Sequence, residues 1–191
     1  MATAKTVKDP WKLKQWYDVK APDAFGGSYI GQTIASDPKL LVGRIIETTL
    51  SDLSGDVRDF KKQRHKLFFR ILEVKGDVCS TDFVRHEITR DYERSMVRRR
   101  GDKFMQFSTV PFGDKKLKVK VITTVSKRID VKQKKAISRI IDEEMQQAAK
   151  EVSGGQLIQD IVFGKIQAKI TKRASKIYPI KIIAVRRCDV L

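Results

Sequence analysis

One segment constrains the fold of this chain more than any other, because it alternates between apolar and basic side chains. It runs from Lys115 to Val125. Successive side chains of a strand point to opposite faces, so one face can pack on a core while the lysines form a row with a spacing of about 6.6 Å. Such a row can contact phosphates. The alternative is a solvent-facing edge strand whose lysines prevent aggregation. The two sets are Lys116, Lys118 and Lys120, and Leu117, Val119, Val121 and Val125.

The order of the other periodic segments predicts an α+β fold. Apolar, β-branched runs bounded by turn residues predict strands early in the chain, and apolar residues spaced by three or four predict later helices. A closing strand follows the helices, and this segregation is typical of α+β proteins. The predicted strands are 42–50, 66–74, 78–84, 104–110, 115–125 and 180–185, and the predicted helices are 90–99, 131–152, 157–162 and 165–177.

Composition and pattern divide the chain into three parts. Residues 1–22 are polar, basic and rich in aromatic side chains, which predicts an extended arm rather than a core element. Residues 23–112 hold most of the predicted strands and form a β-rich portion. Residues 113–191 form an α/β portion with one strand, two or three helices and a final strand.

The chain is strongly basic, and its excess charge lies in two blocks. It has 40 Lys and Arg against 23 Asp and Glu, a formal net charge of +17. Residues 115–139 carry a net charge of +9, residues 140–164 of −4 and residues 165–187 of +8. Clustered charge of one sign points to a polyanionic partner, first of all nucleic acid. No apolar run of about 18 residues could span a membrane, and the N-terminal segment lacks the apolar core of a secretion signal, so we expect a soluble cytoplasmic protein.

The sequence contains no motif that predicts catalysis or metal binding. A glycine-rich phosphate loop, a dinucleotide fingerprint and a nucleophile elbow are all missing. Cys79 and Cys188 lie far apart in sequence and are expected to be reduced core residues. His65 and His86 lie beside basic residues, which favours a surface or RNA-facing position over a role as general base. We therefore expect no enzyme, no metal and no cofactor.

Two other functions use the same basic surface. An RNA-processing or RNA-modifying enzyme would add a nucleophile, a metal site or a cofactor cradle, which the sequence does not indicate. A protein that docks on anionic lipid would carry aromatic residues opposite lysines on one helix, and the predicted C-terminal helices carry isoleucine and lysine without such aromatic residues.

The candidate RNA contacts are basic clusters with aromatic neighbours. Guanidinium groups suit bidentate phosphate contacts and stacking, and neutralised phosphates release counterions. Tryptophans in the basic arm could stack on unpaired bases, or the arm could fold back on the core. The candidates are Trp11, Trp16, Lys61, Lys62, Arg64, Arg98, Arg99, Arg100, Lys115, Lys116, Lys118, Lys120, Lys132, Lys134, Lys135, Lys172, Arg173, Arg186 and Arg187.

Five segments together resemble one protein family in order and spacing. They are residues 16–22 (WYDVKAP), Gly31 with Thr33, residues 43–53 (GRIIETTLSDL), residues 88–91 with 95–98, and residues 177–179 (IYP). This set is similar to the S3Ae (also S1e) family of small-ribosomal-subunit proteins of archaea and eukaryotes. The run Val97–Arg98–Arg99–Arg100 resembles the archaeal members.

The resemblance implies a fold, a location and a set of partners. It implies an antiparallel, β-barrel-like portion followed by the helix-rich α/β portion. It also implies a structural constituent of the small subunit, bound to rRNA on the platform near the rRNA 3′ end and the mRNA exit. The expected partners are small-subunit rRNA, neighbouring ribosomal proteins and mRNA near the exit, with no membrane and no small-molecule substrate.

Overall fold

The computed structural model describes residues 11, 13–56, 58–113, 115–152 and 154–191. Within these residues the chain forms eight strands and six α-helices, which confirms the predicted α+β class. The strands are β1 (Gln15–Lys20), β2 (Tyr29–Ala35), β3 (Ile45–Thr49), β4 (His65–Lys75), β5 (Val78–Ile88), β6 (Asp102–Phe112), β7 (Lys115–Val125) and β8 (Ile180–Val190). The helices are α1 (Leu50–Ser54), α2 (Phe60–Gln63), α3 (Arg90–Met96), α4 (Val131–Glu151), α5 (Gly154–Val162) and α6 (Lys165–Ala174).

The chain divides into two compact units, and β4 and β5 contribute residues to both. Unit 1 consists of Met1–Ile46 and Phe69–Phe83, and unit 2 of Glu47–Phe68 and Val84–Leu191. Along the sequence, unit 1 holds nine basic and seven acidic residues, a net charge of +2, whereas unit 2 holds 31 and 16, a net charge of +15. Nearly all of the excess charge therefore belongs to unit 2.

Unit 1 is a small sheet in which the strands pair in the order β2, β1, β5, β4. β1 pairs antiparallel with β2 and parallel with the start of β5, where Asp18 lies opposite Val78. The rings of Phe25, Phe69 and Phe83 meet with centroids 5.6 to 6.2 Å apart. The apolar core contains Tyr17, Val19, Ala35, Leu41, Ile71 and the free thiol of Cys79.

The predicted β-rich, barrel-like portion is present, but the sheet of unit 1 is open and the barrel is not closed. A barrel closes only when its terminal strands pair with each other. Within the described residues, β2 pairs with β1 and with no second strand. The sheet therefore ends at β2.

Residues 15–20 differ from the extended arm that the sequence indicates. They form β1, in which Tyr17 and Val19 are buried and Trp16 is exposed. This is the alternation of a half-buried strand, and the nearby lysines and aromatic residues hide it in the sequence. Residues 1–10 and residue 12 belong to the same predicted arm. They lie outside the described residues.

Unit 2 is built on a long antiparallel ladder of β6, β7 and β8, which residues 85–87 of β5 extend. Helices α4, α5 and α6 pack on one face of this ladder. The apolar set of β7 is fully buried there, as its alternation predicts, and so is the free thiol of Cys188. The helices contribute Ile137, Ile141 and Met145 from α4, Leu157 and Ile161 from α5, and Ile166 and Ile170 from α6.

The lysine-bearing strand β7 lies between β6 and β8. The interpretation as a solvent-facing edge strand is therefore wrong. Alternation shows which side chains share a face, but the pairing of a strand depends on segments that are distant in sequence. For β7 those segments are 102–112 and 180–190.

Candidate nucleic-acid interface

Within the described residues, one face of the ladder in unit 2 carries no packed helix over much of its area, and the lysine row lies there. Because α4, α5 and α6 cover the face of the buried β7 residues, the alternate side chains of β7 point to the opposite side. The strand register adds the directly opposite residues of β6 and β8 to this surface. We call it the helix-free face, and its members are Lys116, Lys118, Lys120, Phe107, Thr109, Pro111, Arg187 and Asp189.

Two lysines of the row have no carboxylate partner in the described part of the chain. Lys116 and Lys118 are exposed and form no ion pair there. The Nζ atom of Lys120 lies 4.9 Å from the centroid of the Phe107 ring. Lys115, at the start of the strand, is also exposed. The ammonium groups of Lys116 and Lys118, which have no carboxylate partner among the described residues, can neutralise phosphates without breaking a contact that holds the fold together.

Helix α3 is joined to the other end of this side of the sheet by ion pairs. The Glu93 carboxylate lies 2.8 Å from Nε of Arg186 and 3.4 Å from Nζ of Lys103. Arg186 also reaches the sulfur of Met105, at 3.9 Å. Ile122, which follows the lysines on β7, is buried. Ion pairs therefore hold α3 against one end of this surface, while the end with Lys116 and Lys118 remains exposed.

The two predicted arginine contacts on β8 are paired within the fold. Besides the Arg186–Glu93 pair, Nε of Arg187 lies 2.7 Å from Oδ2 of Asp189. Nε of Arg85 lies 2.7 Å from the other oxygen of the same carboxylate. Since Asp189 bridges neighbouring strands, Arg187 and Arg85 carry a partly compensated charge and stabilise the sheet beside the lysine row.

The arginine cluster after α3 forms an exposed loop rather than a helical face. The sequence predicts a helix over 90–99, but α3 ends at Met96, and Val97 has an extended backbone. Arg94 and Arg98 therefore do not share a helix face. Arg98, Arg99 and Arg100 are exposed and form no ion pair within the described residues. Arg98 and Arg99 line a pocket of about 210 Å³ together with Gly101 and Lys181.

Arg100 has a backbone conformation that side chains rarely adopt. Its φ angle is 69°, in the left-handed region, and it is the one described non-glycine residue with a positive φ. This conformation costs about 1 kcal/mol for a residue with a Cβ atom. Gly101 follows because a Cβ atom there would lie 2.9 Å from the carbonyl oxygen of Val125. The chain thus keeps a cation where glycine would be less strained.

The cluster at α2 is partly satisfied within the fold. Lys62 forms an ion pair with Asp56. The guanidinium of Arg64 lies 4.6 Å from the centroid of the Tyr92 ring, a cation–π contact. Lys61 is exposed and forms no ion pair in the described part of the chain. Of the three predicted contacts, Lys61 offers the least compensated charge.

The predicted contacts on α4 and α6 also divide into residues that form ion pairs and residues that form none in the described part of the chain. Lys134 forms an ion pair of 2.6 Å with Asp102, and the hydrogen bond from Lys134 lowers the pKa of that carboxyl group. Arg173 bridges Glu143 and Glu144, and the hydrogen bond to Glu144 raises the pKa of Arg173. The remaining predicted contacts are exposed and form no ion pair within the described ranges; they are Lys132, Lys135 and Lys172.

Both predicted tryptophans are exposed and belong to unit 1. Nζ of Lys14 lies 3.7 Å from the centroid of the Trp11 ring. Trp16 is on β1, on the side opposite to the buried Tyr17. Stacking of these tryptophans on bases stays a prediction. Trp11 and Trp16 are part of a unit whose net charge is close to zero.

The histidines form a pair inside unit 2, so the prediction of surface or RNA-facing histidines is wrong for His86. His86 is fully buried, and its Nε2 lies 2.9 Å from Nδ1 of the half-buried His65. Burial, with a smaller effect of His65, lowers the pKa of His86 to about 3; burial also lowers the pKa of His65. Within the described residues, Nδ1 of His86 has no hydrogen-bond partner, and an unpaired acceptor costs less than an unpaired N–H. Nε2–H of His86 is therefore the donor, and both rings are neutral near pH 7.

The described residues bring together no three His, Cys, Asp or Glu side chains in a metal-binding arrangement.

Sequence reasoning missed the aromatic member of the helix-free face. Phe107 is 52% exposed and lies opposite Lys120. The signal was present, because residues 104–110 alternate and Phe107 has the parity of the exposed Met105 and Thr109. Without the register between β6 and β7, however, Phe107 cannot be assigned to the face of the lysines.

A comparison with known protein families identifies the relationship. The chain matches the family described as the Ribosomal S3Ae family over residues 2–191. The chain belongs to the Ribosomal S3Ae family. This membership confirms the resemblance drawn from the sequence, and it indicates a ribosomal structural protein rather than an enzyme.

Individual archaeal relatives agree with the assignment to the S3Ae family. The chain is 42% identical to the small ribosomal subunit protein eS1 of Desulfurococcus amylolyticus and 41% identical to that of Staphylothermus marinus, in each case over 97% of this chain and 86% of the relative. It is 40% identical to the eS1 protein of Methanobrevibacter smithii over the full length of both chains.

Among the described residues of this S3Ae member, no helix combines the length and the apolar character needed to cross a membrane.

Proposed function

We propose that this chain is a structural constituent of the small ribosomal subunit and that it binds rRNA through the cations of unit 2. The observation that carries the proposal is the row of Lys116 and Lys118 on the helix-free face, exposed and without an ion pair in the described part of the chain. The relatives named small ribosomal subunit protein eS1 support the assignment to this subunit. The protein then works in the cytoplasm, as part of the ribosome.

The mechanism is electrostatic positioning. Each lysine or arginine that neutralises a phosphate releases condensed counterions, and such contacts fix the position of a protein on RNA without reading its sequence. The cations that form ion pairs within the fold hold the sheet and helices, whereas the uncompensated ones contact rRNA. Of the contacts predicted from the sequence, those that form no ion pair in the described part of the chain are Lys61, Arg98, Arg99, Arg100, Lys116, Lys118, Lys132, Lys135 and Lys172.

We further propose that the bound rRNA lies on the platform, near the rRNA 3′ end and the mRNA exit, with neighbouring ribosomal proteins beside it. The family resemblance supports this location. A photo-crosslinker placed at position 118 in intact small subunits should label rRNA near its 3′ end. Crosslinks confined to another part of the rRNA would contradict the location and leave rRNA binding standing.

The salt dependence of binding tests the role of the lysine row. The double variant Lys116→Gln and Lys118→Gln should reduce the slope of log affinity against log salt by about 2 if both lysines contact phosphates. The probe is deproteinised small-subunit rRNA, and the control is Lys39→Gln with Lys75→Gln, which removes two exposed lysines of unit 1. Equal slopes for both double variants would refute the proposed interface.

Sedimentation of cell lysate tests the ribosomal role itself. The tagged chain should migrate with small subunits at moderate salt and should leave them only at high salt. A chain that stays at the top of the gradient at every salt concentration, as free protein, contradicts a structural role in the subunit.

A further inference from the structure

The helix-free face combines an exposed aromatic ring with Lys116 and Lys118, which form no ion pair in the described part of the chain. Phe107 exposes 52% of its surface, although the core positions of β6 such as Val110 are buried. In the register of β6 and β7, Phe107 is opposite Lys120, and Thr109 is opposite Lys118. The ring therefore stands beside the lysine row. Lys118 lies two residues along β7 from Lys120, which is directly opposite the ring.

The ring is also accessible to a ligand above the sheet. Lys120 lies over it at 4.9 Å, a cation–π contact that requires an approachable ring face. α3 reaches the sheet through the ion pairs of Glu93 with Arg186 and Lys103, whereas Lys118 remains exposed. Thr109 is exposed beside the ring and offers a hydroxyl that can donate or accept a hydrogen bond.

These features favour unpaired RNA over duplex RNA. Lysines attract phosphates of any nucleic acid, but a duplex keeps its bases stacked inside the helix, where a ring on a sheet cannot reach them. In a single strand the bases are free to stack on aromatic side chains while a basic groove follows the backbone. A protein partner would have to be acidic to match the lysine row.

We propose that Phe107 stacks on an unpaired base of a single-stranded rRNA segment whose phosphates Lys116 and Lys118 contact. Thr109 lies where it can bond to the edge of that base, and Lys120 moves from the ring to a phosphate when the base arrives. This inference rests on the proposed function, because it names the kind of rRNA that the helix-free face binds.

Binding of the full-length chain to short RNAs tests the inference. The probes are an oligouridine of about ten nucleotides and a blunt RNA duplex of similar length. Phe107→Leu should weaken binding of the single strand about tenfold, in line with the loss of one base–aromatic stack, and should leave duplex binding unchanged. Phe107→Trp should retain single-strand binding, since it keeps an aromatic surface.

Two controls separate stacking from other effects. Phe163→Leu removes a ring that is 51% exposed, in the loop between α5 and α6, and should change neither affinity. Thermal melting of each variant shows that the fold is retained. If Phe107→Leu binds the single strand as tightly as the unaltered chain while the Lys116→Gln and Lys118→Gln variant binds weakly, stacking is refuted and the proposed function stands. If neither variant loses affinity for the single strand, both the stacking of Phe107 and the proposed function are refuted.

Crosslinking in assembled subunits identifies the occupant. Ultraviolet irradiation of intact small subunits should join the peptide that contains Phe107 to rRNA. A crosslink from this position to mRNA, or to another ribosomal protein, overturns the inference, since the inference commits the face to a single-stranded part of the rRNA.

Discussion

The two units of the chain are both built on sheets, but they use the faces of those sheets differently. In unit 2 a single strand, β7, supplies both the core and the cations, because its buried valines alternate with lysines. In unit 1 the positions of β1 that alternate with the buried ones are the exposed Trp16, the half-buried Asp18 and the exposed Lys20, and the net charge of the unit is only +2. Strand β7 carries four of the 31 basic residues of unit 2, and the others lie on its helices, loops and remaining strands.

The difference also concerns the cores. Unit 2 buries a large aliphatic cluster between its sheet and three helices. Unit 1 buries a smaller cluster with half-buried neighbours such as Ile46 and Val74. A small core can relax around a deletion more easily than a close-packed one. The core of unit 2, which supports the lysine row, is thus expected to be more sensitive to such a deletion than the core of unit 1.

Truncation of a buried isoleucine in each unit should show the largest effect. Ile141→Ala, in the core of unit 2, is expected to lower the free energy of unfolding by about 4 kcal/mol, and Ile71→Ala, in unit 1, by about 3 kcal/mol. Ile140→Ala serves as the control, because Ile140 is the neighbouring half-buried residue on α4. Denaturant titration measures all three; a larger loss for Ile71→Ala than for Ile141→Ala would reverse the comparison.

Acid should weaken unit 2 through its histidine pair, since unit 1 contains no histidine. The pKa of His86 is lowered to about 3 in the fold and returns to about 6.5 in the unfolded chain. Below about pH 6.5 the unfolded chain binds a proton that the folded chain does not, so stability falls as pH falls toward 3. The loss between about pH 7 and about pH 5 should be roughly 2 kcal/mol.

His86→Gln should flatten this pH dependence, whereas His65→Gln should reduce it less, because His65 is only half-buried. Urea titrations at several pH values provide the measurement. A pH dependence that is the same in His86→Gln and in the unaltered chain would assign the acid sensitivity to other groups.

Arg100→Gly should have the smallest effect on stability, with the opposite sign. Glycine adopts a positive φ readily, so relief of the strain at 69° outweighs its greater freedom in the unfolded chain, and the free energy of unfolding should rise by about 0.5 kcal/mol. Arg99→Gly, at a residue whose φ is not positive, should lower it by a similar amount. Both variants should bind rRNA more weakly. Equal stability changes for the two would show that Arg100 carries no strain.

The sequence predicts the elements whose pattern is local. Alternation predicts β7 over 115–125, where the structure has it, and apolar spacing predicts α4 to within one residue of Val131–Glu151. β8 extends to Val190, beyond the predicted 180–185. The prediction stops short because the register of β8 with β7 shifts between Lys120 and Val121, and this shift hides the alternation around Arg186. β2 was missed because Gly31 lies within it and turn-forming residues surround it.

The candidate site is predictable in part, for a related reason. Charge clustering identifies the basic residues, but a sequence cannot show which of them a carboxylate compensates. Arg173 and Arg186 find their acidic partners on other elements and Arg187 finds its partner two residues further along β8, while Lys116 and Lys118 form no ion pair in the described part of the chain. The place of Phe107 in the site likewise depends on strand register.

Lysine reactivity tests most directly whether the uncompensated cations of unit 2 form the rRNA-binding surface. Acetylation of the free chain and of intact small subunits, read by mass spectrometry, compares each lysine in the two states. We expect Lys116 and Lys118 to react in the free chain and to be protected in the subunit, while the exposed Lys39 and Lys75 of unit 1 react in both. Protection of Lys39 and Lys75, with Lys116 and Lys118 fully reactive in the subunit, would contradict the account.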